Sequence, residues 1–111
     1  MIITEKRDKT DIVSFETDKI NALVTEEIRS EINKLFENSG ARVIINLQGV
    51  KYVDSSGFGC FLSVLKNARN NLGTLKFVNP EPSVYQTIET LNLHTVFSIS
   101  YDLEACVRSM R

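Results

Sequence analysis

Tryptophan is absent from the 111 residues, proline and cysteine occur twice each, and histidine occurs once. Each shortage removes a class of explanation. Cys60 and Cys106 form no CxxC pair, and His94 is near neither in sequence, so a zinc site lacks ligands. Two distant cysteines also make no disulfide framework. They are expected to be reduced thiols packed as small apolar groups in a cytoplasmic protein. Basic charge is not in excess: 13 Lys and Arg stand against 14 Asp and Glu, for a formal net charge of -1. No basic stripe stands out, so direct nucleic-acid binding is not expected. Apolar runs are too short to span a bilayer. The opening "MIITEKRDKT" has no positive region followed by a long apolar core, so no secretory signal is expected.

The residues that are present suit one globular domain over residues 1–111. Hydrophobic residues make up 42% and charged residues 24%, and the length can bury a core without disulfide or metal. No linker and no internal repeat interrupts the chain.

Strand-like and helix-like patterns alternate. Residues 1–7 and 11–16 read as two strands around a polar turn at Arg7-Asp8-Lys9-Thr10. Val24, Ile28, Ile32, Leu35 and Phe36 then recur at helical spacing, and Gly40 can end that helix. Val43-Ile44-Ile45-Asn46-Leu47 is a β-branched run suited to the centre of a sheet. The helical period returns in a stripe of Phe58, Phe61, Leu62, Leu65, Ala68 and Leu72, ended by Gly73. Leu75-Lys76-Phe77-Val78 reads as a strand. Pro80 and Pro82 break it and open a helix lined by Val84, Ile88 and Leu91. Val96-Phe97-Ser98-Ile99 reads as a short strand, and a last helix from about Asp102 carries Leu103, Cys106 and Met110. The order ββαβαβαβα predicts an α/β fold: a small mixed β-sheet with amphipathic helices packed mainly on one side.

One junction departs from this plain pattern. "YVDSSGFGCF" (Tyr52–Phe61) places an acid, two hydroxyls and two glycines where a strand ends and a helix begins. Asp54 or Ser55 can cap the helix, because its first N–H groups lack partners. A cap does not need Gly57 and Gly59, each of which costs about 0.5–1 kcal/mol against alanine. They leave the backbone bare for close approach by another molecule. A phosphate on Ser55 would add about -1.5 to -2 charges at this spot, beside the charge of Asp54. Its main effect would be on what the surface binds. Enzyme motifs are missing: the junction is neither G-x-S-x-G nor a P-loop nor a dinucleotide fingerprint. A Ser–His–Asp triad would have to recruit His94 from the apolar link "LNLHTVF".

"VIINLQGVKYVDSSGFGCFLSVLKNARNNLG" resembles the signature segment of the STAS family, the anti-sigma factor antagonists. That pattern is an apolar strand, a short spacer, D-S-[SG]-G-[LF]-G and an amphipathic helix. "LKFVNPEPSVYQTIETLNLHTVFSI" resembles the family's next strand, proline-containing loop, helix and short strand, so the resemblance covers nearly the whole chain. It implies a partner switch and no catalysis by this chain. The unmodified domain would bind an anti-sigma factor serine kinase and release the sigma factor. ATP-dependent phosphorylation of Ser55 by that kinase would end the binding, and a phosphatase would restore it. Asp54 matches the family's aspartate, and Ser56 matches a position that is sometimes a further phosphosite. Gly57, Phe58 and Gly59 fall in the docking segment. A "G-x-[LI]-D" element before the first helix also contributes to the kinase contact. Here its glycine is missing, and either Asp18 or Asn21 matches the aspartate. The resemblance implies no cofactor, no metal, no membrane insertion and a monomer or weak dimer. Two other readings stay open: a subunit of a bacterial lipid-transport ABC system, docking on an ATPase by the same helix face, and an interaction module without a switch.

Overall fold

The structure, a computed structural model, describes residues 2–111. It begins with a hairpin of β1 (Ile2–Arg7) and β2 (Thr10–Phe15). Asp8 and Lys9 form its turn with φ of 52° and 67°. Two consecutive left-handed residues suit the right-handed twist of a tight hairpin. The remaining elements are β3 (Lys19–Ile20), α1 (Thr25–Lys34), β4 (Arg42–Asn46), β5 (Tyr52–Val53), α2 (Ser55–Asn70), β6 (Thr74–Val78), α3 (Pro82–Thr90), a 3-10 turn (Leu93–Thr95), β7 (Ile99–Ser100) and α4 (Leu103–Ser109).

The main sheet has the order β1-β2-β4-β6-β7. Its β1–β2 pair is antiparallel and its other pairs are parallel. The run Val43–Ile45 lies in the middle strand, β4, buried on both faces as its continuous apolar character predicts. Alternation along the strands divides the core. Val13, Val43, Ile45, Leu75 and Phe77 face the large cluster formed with α1, α2 and α3. Ile12, Ile44 and Val78 face a smaller cluster with Cys106, Val107 and Met110 of α4. Three helices thus share one face, and α4 covers part of the other. Phe77 joins the parts of the large cluster, with ring centroids 5.4 Å from Phe61 and 4.6 Å from Phe97.

Several sequence expectations are corrected. The buried face of α2 is Gly57, Phe58, Cys60, Phe61, Val64, Leu65 and Ala68. Leu62, next to Phe61, is rotated about 100° out of that stripe and is exposed. Leu72 lies past the helix, 80% exposed, with φ 57°. The Leu72 N–H reaches the Arg69 carbonyl at 3.2 Å, and the Gly73 N–H reaches the Ala68 carbonyl at 2.8 Å. This is a Schellman ending in which leucine takes the left-handed place usual for glycine. Gly73 is required for space instead, since a Cβ there would stand 2.8 Å from the Phe36 ring and 2.9 Å from the Ala41 carbonyl. Leu91 is exposed at the end of α3. Val96–Ser98 is not strand: a 3-10 turn precedes it and only Ile99–Ser100 pairs, with Phe77 and Val78.

Candidate functional site

The site is built where β5 runs into α2. Asp54, with an extended backbone, caps the helix: its Oδ1 accepts the Gly57 N–H at 3.0 Å. The same oxygen accepts the Ser56 hydroxyl at 2.6 Å. The Ser56 hydroxyl above all, and then the Gly57 N–H, hold the Asp54 carboxyl below the usual aspartate value. Asp54 therefore stays a carboxylate at neutral pH. Ser55 differs from its neighbour. It is exposed at the first helical position, and none of the hydrogen bonds among the described residues engages its hydroxyl. Of the two serines, one is committed to the cap and one is presented to solvent.

The two glycines also differ. A Cβ on Gly57 would lie 2.5 Å from Val53 Cγ1, 3.1 Å from Ile20 Cγ2 and 3.2 Å from the Ile20 carbonyl oxygen. Gly57 is buried, so it allows the helix to pack against β3 and β5 and does not open the backbone to another molecule. Gly59 is exposed with open space around it, the condition expected of a docking edge. Phe58 is 3% exposed and belongs to the core. Gly57 and Phe58 thus shape the junction from inside, whereas Asp54, Ser55, Ser56 and Gly59 reach its surface to differing degrees.

The structure brings the second candidate segment beside the first. Two residues of β3 pair in parallel with two of β5, Lys19 with Tyr52 and Ile20 with Val53. The Asp54 N–H donates to the Ile20 carbonyl at 3.1 Å. Ile20 is buried between these segments, so the chain leaves the sheet at Asn21 directly alongside Asp54. The Asn21 side-chain oxygen accepts the Leu23 N–H at 3.0 Å and turns the chain into α1. Leu23, at 91% exposure, projects from that turn. Asp18 sits at the far end of β3, where its carbonyl accepts the N–H groups of Lys51 and Tyr52 at 2.7 and 3.1 Å. Strands of two residues carry no hydrophobic period, so sequence reasoning missed β3 and β5. Ile20 and Val53 are apolar residues next to Asn21 and Asp54, and nothing local marks them as a strand pair.

Other candidates lie elsewhere. His94 is exposed on the 3-10 turn. Cys60 and Cys106 are buried free thiols, as expected. Burial pushes the Cys60 thiol up to about 11. Among the described residues, no group of three His, Cys, Asp or Glu side chains is placed to hold a metal. No helix among them is long and apolar enough to cross a membrane. The surface around Ser55 combines a free hydroxyl, a fixed carboxylate, bare backbone at Gly59 and the projecting Leu23. Such a surface can contact another macromolecule and register a charge placed on Ser55.

Comparison with solved structures finds the same fold. An anti-sigma-factor antagonist (STAS) domain protein from Planctomyces limnophilus superposes with a TM-score of 0.88, at 17% identity, over 98% of this chain and 97% of that one. An anti-sigma factor antagonist from Mycobacterium paratuberculosis gives 0.86 at 18% identity, over 100% and 93%. The Bacillus cell fate determinant SpoIIAA in its phosphorylated form gives 0.74 at 18% identity, over the whole of both chains. At these identities the likeness is one of fold. The family model described as STAS domain matches residues 2–106, and the chain belongs to that family.

Proposed function

We propose that the chain is an anti-sigma factor antagonist whose unmodified Ser55 surface docks on an anti-sigma serine kinase, releasing a sigma factor. Phosphorylation of Ser55 by that kinase ends the docking, and a phosphatase restores it. The observation that carries this reading is the division of labour between the serines: Ser56 is tied to Asp54 at 2.6 Å, while the Ser55 hydroxyl faces solvent. A kinase must reach a free hydroxyl, and of the two junction serines Ser55 offers one without disturbing the cap. The phosphate would add about -1.5 to -2 charges next to a carboxylate that is already ionised. In an interface, like charge or an unpaired desolvated charge costs several kcal/mol, enough to switch binding off.

The neighbouring turn completes the contact. With Ile20 buried as the apolar member of Asp18-Lys19-Ile20-Asn21, Asn21 takes the place of the family's aspartate and Asp18 that of its glycine. The docking surface is then Asp54, Ser55, Ser56 and Gly59 together with Asn21. This setting is cytoplasmic, needs no cofactor on this chain, and leaves ATP to the kinase.

The test is capture of partners from native lysate on wild-type bait beside Ser55→Asp. The expected result is a serine kinase held by the wild type and lost from Ser55→Asp. A transporter ATPase held equally by both would instead assign the chain to lipid import and refute the switch.

A further inference from the structure

Glu81 stands at the N-cap of α3, yet its side chain makes no cap hydrogen bond to its own helix. It reaches across the surface to the loop before β5. Its Oε2 accepts the Gly49 N–H at 2.7 Å, and its Oε1 lies 3.5 Å from the Lys51 ammonium. Two residues on, the Ser83 hydroxyl donates to the Lys51 carbonyl at 3.1 Å. The N-terminus of α3 therefore grips residues 49–51 at three points.

The grip continues towards Ser55 through the backbone. The N–H of Lys51 and that of Tyr52 both converge on the Asp18 carbonyl, at 2.7 and 3.1 Å. Next, β5 pairs with β3. The Asp54 N–H then bonds the Ile20 carbonyl at 3.1 Å, one residue before the turn that displays Leu23. A pair of two-residue strands has little stability of its own. A carboxylate accepting a backbone N–H beside an ammonium makes a charge-assisted contact, stronger than a neutral one. Gly49 takes a left-handed backbone, φ 89°, in the turn closed by the Val50 N–H on the Leu47 carbonyl at 3.0 Å, and its own N–H goes to Glu81.

We infer that Glu81, aided by Ser83, is a positioning residue: it clamps the loop at 49–51 and so holds the β3–β5 pair, and with it the Asn21–Leu23 turn, beside Ser55. Glu81 touches neither Ser55 nor Asp54 in this arrangement and acts only through the loop. The link to partner docking rests on the function proposed above; the clamp itself does not.

The experiment is residue-resolved amide hydrogen exchange by NMR on the full chain, comparing wild type, Glu81→Ala and Glu81→Gln. The informative amides are Lys51, Tyr52 and Asp54, whose acceptors are Asp18 and Ile20 and are untouched by the substitution. In Glu81→Ala their exchange is expected to speed up at least tenfold, while Val43–Ile45 of β4 keep wild-type rates. Glutamine, which still offers an oxygen to Gly49, restores most of the protection. Unchanged exchange at Lys51, Tyr52 and Asp54 overturns the clamp, as does an equal rise in β4, which reports global loss of stability. A second arm uses any serine kinase that phosphorylates the wild type at Ser55. Glu81→Ala should raise KM at least fivefold with kcat unchanged, and an unchanged KM breaks the link between clamp and docking. If no kinase modifies the wild type, the reading of Ser55 fails, and the exchange rates still decide the clamp.

Discussion

Two helices of this domain begin in the same way and do different things. Asp54 opens α2 and Asp102 opens α4, and each side chain accepts an N–H three residues on, from Gly57 and Ala105, at 3.0 Å. The residues just after the caps separate them. Behind Asp102 stands Leu103, half-buried and packed on the smaller core cluster, then Glu104, ion-paired with Arg7. Behind Asp54 stands Ser55, exposed, then Ser56, which gives its hydroxyl back to the cap. The α4 start uses its first turn on the domain itself, whereas the α2 start leaves a hydroxyl outward. An aspartate cap is therefore no evidence of a site. The residue after it, and the segment beside it, decide.

The difference between the two helix starts can be probed at several points. The largest effect is expected at Gly57. Its alanine variant must displace the β-branched Val53 and press on the Ile20 backbone, which should cost about 2 kcal/mol in urea unfolding. Ala105, at the same position of α4, already carries a Cβ. Wild-type stability for Gly57→Ala would contradict the close approach of α2 to β3 and β5.

The caps come next. Asp102→Ala should cost about 1 kcal/mol. Asp54→Ala should cost more, because it also strands the Ser56 hydroxyl. Equal losses would show that the Ser56 contact contributes nothing. The same contact has a pH signature. The Asp54 carboxyl is depressed in the fold, so its contribution is present above the unfolded aspartate value of about 3.9. That contribution is lost as pH falls through the lower folded value. Ser56→Ala removes the leading cause and should move the Asp54 titration, followed by carboxyl 13C shifts, back towards the ordinary value.

Smaller effects separate positions within α2. Gly59 has open space around it, so Gly59→Ala should raise stability by roughly 0.5–1 kcal/mol, the opposite sign to Gly57→Ala. Cys60, at about 11, should resist alkylation at neutral pH in the folded protein and react once it is unfolded.

Much of this architecture was legible in the sequence because its signals are periodic. The β-branched run at Val43–Ile45 placed the central strand, and the spacing of Phe58, Phe61, Leu65 and Ala68 placed α2. Legibility failed where a signal was shorter than its period. Strands β3 and β5 have two residues each, Leu62 sits at the margin of the stripe, one residue from Phe61, and Leu72 lies past the helix end, where the period no longer applies. The candidate site divided in the same way. Asp54 and Ser55 could be read from their junction, whereas the opposite environments of the two glycines, and the meeting of Asn21 with Asp54, depend on long-range contacts. Glu81, far along the chain from Lys51, gave no local sign of its reach.

The proposed switch at Ser55 is best tested by mass-spectrometric mapping of phosphate on protein isolated from its own cells, with Ser55→Ala beside the wild type. Phosphate is expected on Ser55 of the wild type, and none on the Ser55→Ala protein. Phosphate on Ser56 while Ser55 stays bare would contradict the switch, because the hydroxyl tied to Asp54 would then be the one the kinase takes.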